Sequence, residues 1–125
     1  MTTTLILMTL LIYKHFIFDF LYQPPYQWQN KGTYAHPGGI FHAGQHGACS
    51  FFILLAFTNA WTAIALAIFE FIVHYHIDWA KMNINRKMGW RAEKDSQFWI
   101  LLGADQLLHY LTYVVLVAGA LTNAN

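Results

Sequence analysis

Four stretches of the chain are apolar enough to read as helices crossing a bilayer: residues 4–22, 40–57, 61–81 and 98–121. Each approaches the roughly 20 residues that an α-helix needs to span the hydrocarbon core. No Lys or Arg precedes the first stretch, and Lys14, His15 and Asp19 interrupt it, so it does not read as a cleavable signal and is expected to remain. Residues 23–39 hold all three prolines and clustered glycines, which predict a long interfacial loop that breaks regular structure. Thr58, Asn59 and Ala60 make a connection short enough to force an antiparallel hairpin, and residues 82–97 form a polar loop carrying most of the charge. The expected fold is all-α: a single domain over 1–125, an integral membrane four-helix bundle with antiparallel neighbours.

Composition strengthens this picture. The chain is 57% hydrophobic and only 10% charged, whereas soluble domains are about 25% charged. A net charge of +1 carries no broad basic excess, so nucleic acid drops out as a partner and membrane lipids are the expected surroundings. Cys49 is the single cysteine, which excludes an intramolecular disulfide and any zinc site built on paired thiolates. Any metal must therefore be held by His, Asp or Glu.

The loops after the first and third spans carry Lys31, Arg86, Lys87, Arg91 and Lys94, while the termini and the Thr58 turn carry no Lys or Arg. The positive-inside rule makes those two loops cytoplasmic and both termini non-cytoplasmic. The basic residues of the second loop are accounted for by topology rather than ligand binding. Trp28, Trp61, Trp79 and Trp99 stand near span ends, where indoles anchor at the interface.

The polar residues inside the spans fall into pairs. His15 and Asp19, His42 and His46, His74 and Asp78, and Asp105 and His109 are each four positions apart, one pair per span. That spacing puts both members on one helix face, and about one such pair is expected by chance. Because successive spans alternate in direction, all eight side chains fall in the cytoplasmic half of the membrane. An Asp at mid-membrane costs about 2.5–3.5 kcal/mol on insertion scales, so three of them call for compensating charge. Divalent cations would provide it.

Imidazole with carboxylate suits zinc, iron or manganese, and helical bundles build two-metal sites from inward-facing residues three or four apart. Eight ligands suffice for two ions, and a set with more His than Asp favours zinc. Glu70, four residues before His74, is a candidate general base or an acceptor that orients His74. Lys81, Lys14 and Lys31 are candidates for holding an anionic substrate group such as phosphate, against the plainer role of snorkelling to the interface. Gln23, Gln45 and Gln106 flank the pairs. His36 and His76 fall off the pattern and read as structural, and Gly44, Gly47 and Gly103 read as points of close helix packing.

The ordered set from His15-Phe16-Ile17-Phe18-Asp19 through Gln23, Trp28, Lys31, His42, His46, His74, Asp78 and Lys81 to Asp105-Gln106 and His109 resembles the small phage and bacterial membrane proteins catalogued as domain of unknown function 3307. The resemblance covers nearly the whole chain, implies a multi-pass protein of the bacterial inner membrane, and carries no activity. A more distant similarity to predicted membrane-bound metal-dependent hydrolases supports hydrolysis by analogy only, since that group's signature is not matched residue by residue.

The leading expectation is a membrane-embedded metal-dependent hydrolase with a dinuclear His/Asp site. It would act on a lipid-linked or phosphorylated amphiphile at the cytoplasmic face, beneath residues 24–39 as a covering loop. The alternatives are a di-iron oxidase or hydroxylase, a metal-stabilised accessory protein without enzymatic activity, and an ion carrier. The apolar outer halves of the second and fourth spans disfavour the carrier.

Overall fold

In the computed structural model, which describes residues 1–123, all regular structure is helical. The last two residues of the expected 1–125 domain lie outside the described ones. Helix α1 (Thr2–Phe16) runs without a break into one π-helical turn, Ile17–Leu21, closed by a Tyr22 N–H to Ile17 carbonyl bond of 2.7 Å. Helix α2 (Pro25–Trp28) is a single turn, α3 spans Pro37–Leu54, α4 spans Ala60–Met88 and α5 spans Ser96–Thr122.

Local chemistry sets most of these boundaries. Pro25 and Pro37 each occupy the first turn of a helix, where a missing N–H costs nothing. His36 Nδ1 accepts the Gly38 N–H at 3.0 Å, and Asn59 Oδ1 accepts the Thr62 N–H at 3.0 Å, capping α3 and α4. Gly89, at φ 69°, closes α4 in the left-handed conformation that glycine adopts without a Cβ clash.

Three expectations need correction here. Residues 23–39 are not wholly irregular, because Pro25 starts α2 instead of breaking structure. Residues 82–88 are helical, since nothing in Met-Asn-Ile-Asn-Arg-Lys-Met stops a helix before Gly89; Arg86 and Lys87 therefore sit on the last turn of α4 rather than in a loop. A Cβ on Gly44 or Gly103 would meet nothing within 4 Å, so neither permits close packing. On Gly47 it would lie 3.0 Å from the Ala67 carbonyl oxygen, which marks a real α3–α4 approach.

Helix α3 packs on α1 and α4, and α5 packs on α4 and α1, so the contacts close a ring. At one end Leu7, Leu11, Leu54, Ala63, Tyr113, Leu116, Val117 and Ala120 form an apolar core. The outward faces carry large hydrophobics such as Phe52, Ile68, Ile100 and Trp61, while His, Asp, Lys and Glu are buried inside. This inverts the usual soluble distribution. Among the described residues three helices are long and apolar enough to cross a membrane: Thr2–Leu21, Ala60–Met88 and Ser96–Thr122. Helix α3 is not among them, because Gly38, Gly39, His42, Gly44, Gln45 and His46 dilute its apolar residues.

Candidate metal centre

The four pairs meet at the end of the helix ring opposite the apolar core. His15, His42, His46, His74, Asp78, Asp105 and His109 are all buried, and the Asp19 side chain is 5% exposed. The i, i+4 spacing delivers three of the pairs from straight helix. Asp19 instead lies in the π-helical turn, whose wider ring resets the angle at which the end of α1 presents its carboxylate.

Asp19 Oδ1 lies 2.9 Å from His42 Nε2, 3.2 Å from His46 Nε2 and 3.8 Å from His74 Nε2, and the His42 and His74 Nε2 atoms are 3.1 Å apart. Asp78 Oδ2 lies 3.3 Å from both His42 Nε2 and His74 Nε2, and Asp78 Oδ1 lies 3.6 Å from His109 Nε2. An ion bound tetrahedrally through bonds of about 2.1 Å keeps its ligand atoms about 3.4 Å apart, a value that the separations here, from 2.9 to 3.8 Å, bracket. Among the described residues, Asp19 Oδ1, both His46 ring nitrogens and His109 Nε2 nevertheless have no hydrogen-bond partner. Buried polar atoms left in this state are costly.

These atoms fall into overlapping sets whose members lie within 4.8 Å of one another: Asp19, His42, His46 and His74; Asp19, His74, Asp78 and His109; and His15, His74 and His109. Seven of the eight expected ligands are thus brought together. Asp105 stands at the edge, with Oδ1 3.7 Å from His109 Nε2 and Oδ2 accepting from Gln106 Nε2 at 3.1 Å.

The lysines separate into three environments. Lys31 is buried and lies 2.9 Å from Asp78 Oδ2 and 3.9 Å from Asp19 Oδ1, reaching in from the segment between α2 and α3. Burial pushes its ammonium pKa down, but Asp78 and Asp19 outweigh that and hold it above the ordinary lysine value. Lys81 Nζ stands 4.0 Å from Asp105 Oδ2 with 23% of its side chain exposed, so it occupies the rim.

Lys14 neither snorkels nor faces a substrate. It is buried, ion-paired with Glu70, donates to Ser50 Oγ at 2.9 Å and to the His46 carbonyl at 3.3 Å, and sits 4.7 Å from the Tyr113 ring centre. Glu70 therefore lies one turn below the His/Asp layer, against Lys14, and bonds none of the histidines among the described residues. Gln23 Nε2 lies 3.3 Å from both ring nitrogens of His42, and Gln45 accepts from Gln27 at 2.7 Å.

Ser50 and Tyr113 were not read as site residues from the sequence. Their signal is the same four-residue step, which continues His42 and His46 to Ser50 and Asp105 and His109 to Tyr113. His36 caps α3, and the exposed His76 bonds the Ile72 carbonyl and Tyr34 at a distance from the cluster.

A family model described as Protein of unknown function (DUF3307) matches residues 6–125. No curated protein matches the chain. No solved structure matches it either.

Proposed function

Because the chain belongs to the family described as Protein of unknown function (DUF3307), whose description carries no activity, we infer the function from the site and propose a membrane-embedded, metal-dependent hydrolase. The observation that carries this reading is the cluster of buried, unpartnered His and Asp atoms at the mutual spacing of metal ligands. The donor set fits a hard or borderline divalent ion, zinc foremost with iron or manganese as alternatives. Bound there, such an ion supplies Lewis acidity and a coordinated water ionising near neutral pH.

Charge bears on how many ions are held. Asp19, Asp78, Asp105 and Glu70 face Lys14, Lys31 and Lys81, leaving one negative charge in excess with the histidines neutral. A single divalent ion reverses that excess by one unit. A second requires further anions, and the phosphate of a lipid-linked or phosphorylated amphiphile would bring them. Lys81 at the rim would attract that group, and residues 24–39, from which Lys31 reaches Asp78, would serve as the covering loop.

The membrane arrangement is an antiparallel four-helix bundle that crosses the bacterial inner membrane four times, with α3 turning its buried His, Ser and Gly residues toward its neighbours and Phe41 and Phe52 outward. Both termini are non-cytoplasmic, and the site faces the cytoplasmic leaflet. In a Cys49→Ala background, a cysteine at Arg91 should resist an impermeant probe on intact cells while one at Asn123 reacts; the reverse pattern moves the site to the outer leaflet.

The decisive experiment is elemental analysis of the detergent-purified protein. One or two equivalents of metal per chain are expected, with losses in His42→Ala, Asp78→Ala and His109→Ala; unchanged stoichiometry in all three sinks the reading. The hydrolytic part is tested with bis(p-nitrophenyl) phosphate and a phosphorylated amphiphile in vesicles. Lys81→Ala should abolish turnover of the phosphorylated amphiphile while metal content and folding stay intact. Lys31 closing over Asp78 favours one competing reading, a sealed structural ion in an accessory protein. In that case function falls only where metal and folding fall.

A further inference from the structure

His15 stands apart from the other histidines in the way its ring is bound. Nε2 lies 2.9 Å from Gln106 Oε1 and 3.3 Å from Asp19 Oδ2, and Nδ1 lies 2.9 Å from the Tyr113 hydroxyl. The proton positions follow from one end of this chain. Asp105 as a carboxylate only accepts, so the Gln106 amide turns its N–H toward Asp105 Oδ2, at 3.1 Å, and its oxygen toward His15. That oxygen requires a donor, so His15 Nε2 carries the proton. Nδ1 is then the acceptor and takes the Tyr113 O–H.

A neutral imidazole has one lone pair in its ring plane, and in His15 it is engaged. The contrast with His46 is complete, since neither of that ring's nitrogens has a hydrogen-bond partner among the described residues. Asp19 shows the same division within one carboxylate: Oδ2 lies 3.3 Å from His15 Nε2, within reach of the N–H that Gln106 also accepts, while Oδ1 lies 2.9 Å from His42 Nε2 and 3.2 Å from His46 Nε2.

We propose that His15 is a positioning residue rather than a ligand: it holds Asp19 by one oxygen so that the other is presented to the metal, with Tyr113 and Gln106 fixing its tautomer. The ligands are then His42, His46, His74, His109, Asp19 and Asp78, and Asp105 anchors Gln106 at the rim. Carboxylates and histidines that bind metal are commonly oriented by such partners, whose removal weakens metal binding about 10–100-fold without removing a ligand. This assignment rests on the metal-centre reading given above.

The test uses the full-length protein in detergent, loaded with cobalt(II) and titrated with zinc. In His15→Gln the amide N–H can replace the imidazole N–H, so the ligand-field bands and stoichiometry should match wild type. His15→Ala should keep the bands and saturate at the same stoichiometry with affinity lowered about 10–100-fold. Tyr113→Phe, which leaves the His15 side chain in place, should lower affinity by a smaller factor with unchanged bands.

His42→Gln is the control and should change the bands or lose an equivalent of ion. If His15→Gln alters the bands as His42→Gln does, His15 is a ligand and the proposal fails. Unaltered affinity in both His15→Ala and Tyr113→Phe fails it as well. If wild type and His42→Gln alike bind no cobalt or zinc, the metal-centre reading itself falls, a result separable from the other two.

Discussion

Two polar layers lie one helical turn apart inside the helix ring, and they differ in how their charges are met. In the deeper one, Lys14 pairs with Glu70 and also donates to Ser50 and the His46 carbonyl, so that of this layer's carboxylate only Oε2 lacks a partner among the described residues. In the His/Asp layer three aspartates share Lys31 and the rim residue Lys81, and several ring nitrogens and carboxylate oxygens point at one another unpartnered. Apart from Lys81 at the rim both layers are buried; they differ in how far their polar atoms are satisfied. A layer that supplies its own cation carries its main compensation within the fold, whereas one whose acceptors converge on a shared centre would, on the proposed reading, take a cation from outside.

The largest effect expected from this contrast lies in the deeper layer. Lys14→Ala or Glu70→Ala strands a buried charge and should cost about 3–5 kcal/mol, whereas Lys14→Met combined with Glu70→Leu should recover most of that loss. Unfolding titrations in mixed micelles measure it. Protein that remains folded should keep its full metal content; parallel loss of metal and stability would make the two layers a single unit and dissolve the comparison.

A comparable effect belongs to the upper layer, but it depends on metal. With free ion at a thousand times the dissociation constant, binding to the folded state alone stabilises by about 4 kcal/mol. Chelation should remove that increment from wild type and by the same amount from the Lys14→Met, Glu70→Leu protein. In His46→Ala the increment should be much reduced, because His46 brings two unpartnered nitrogens to the cluster. An identical response to chelator in His46→Ala and wild type would argue that the ion, if any, lies elsewhere.

Much of the upper layer was legible as i, i+4 pairs, because a helical face repeats at that step whatever the tertiary packing. The deeper layer carried the same signal in Ser50 and Tyr113, but single hydroxyls among apolar residues give no chemical reason to be singled out. Lys14 was misread for a related reason: a lysine in an apolar span suits snorkelling until its partner 56 positions away is in view. The π-helical turn at Asp19 has no pattern of its own, since Ile-Phe-Asp-Phe-Leu would serve equally in an α-helix. The length of α4 and the helical turn at Pro25 turned on local stops and starts, which hydropathy does not encode.

The smallest expected effect tests whether the spacing of the helices holds both layers in register. Gly47 lies one residue after His46 and three before Ser50, so it sits between the α3 contributions to the two layers. A methyl group there would lie 3.0 Å from the Ala67 carbonyl oxygen and 3.2 Å from Phe71 Cβ, and these atoms belong to the helix carrying Glu70 and His74. Backbone cannot rotate away as a side-chain tip can, so α3 and α4 must separate by a few tenths of an ångström. Overpacking of this kind costs about 1–3 kcal/mol. Gly44 is the matched control, because its Cβ would enter open space and Ala there should stabilise the helix by about 0.5–1 kcal/mol. If the upper layer is tuned to the distances that a metal requires, Gly47→Ala should weaken metal binding beyond what its stability loss explains, and Gly44→Ala should leave binding unchanged. Equal metal affinity in the two variants would show that the cluster tolerates helix displacement, and so that its spacing is looser than a ligand set demands.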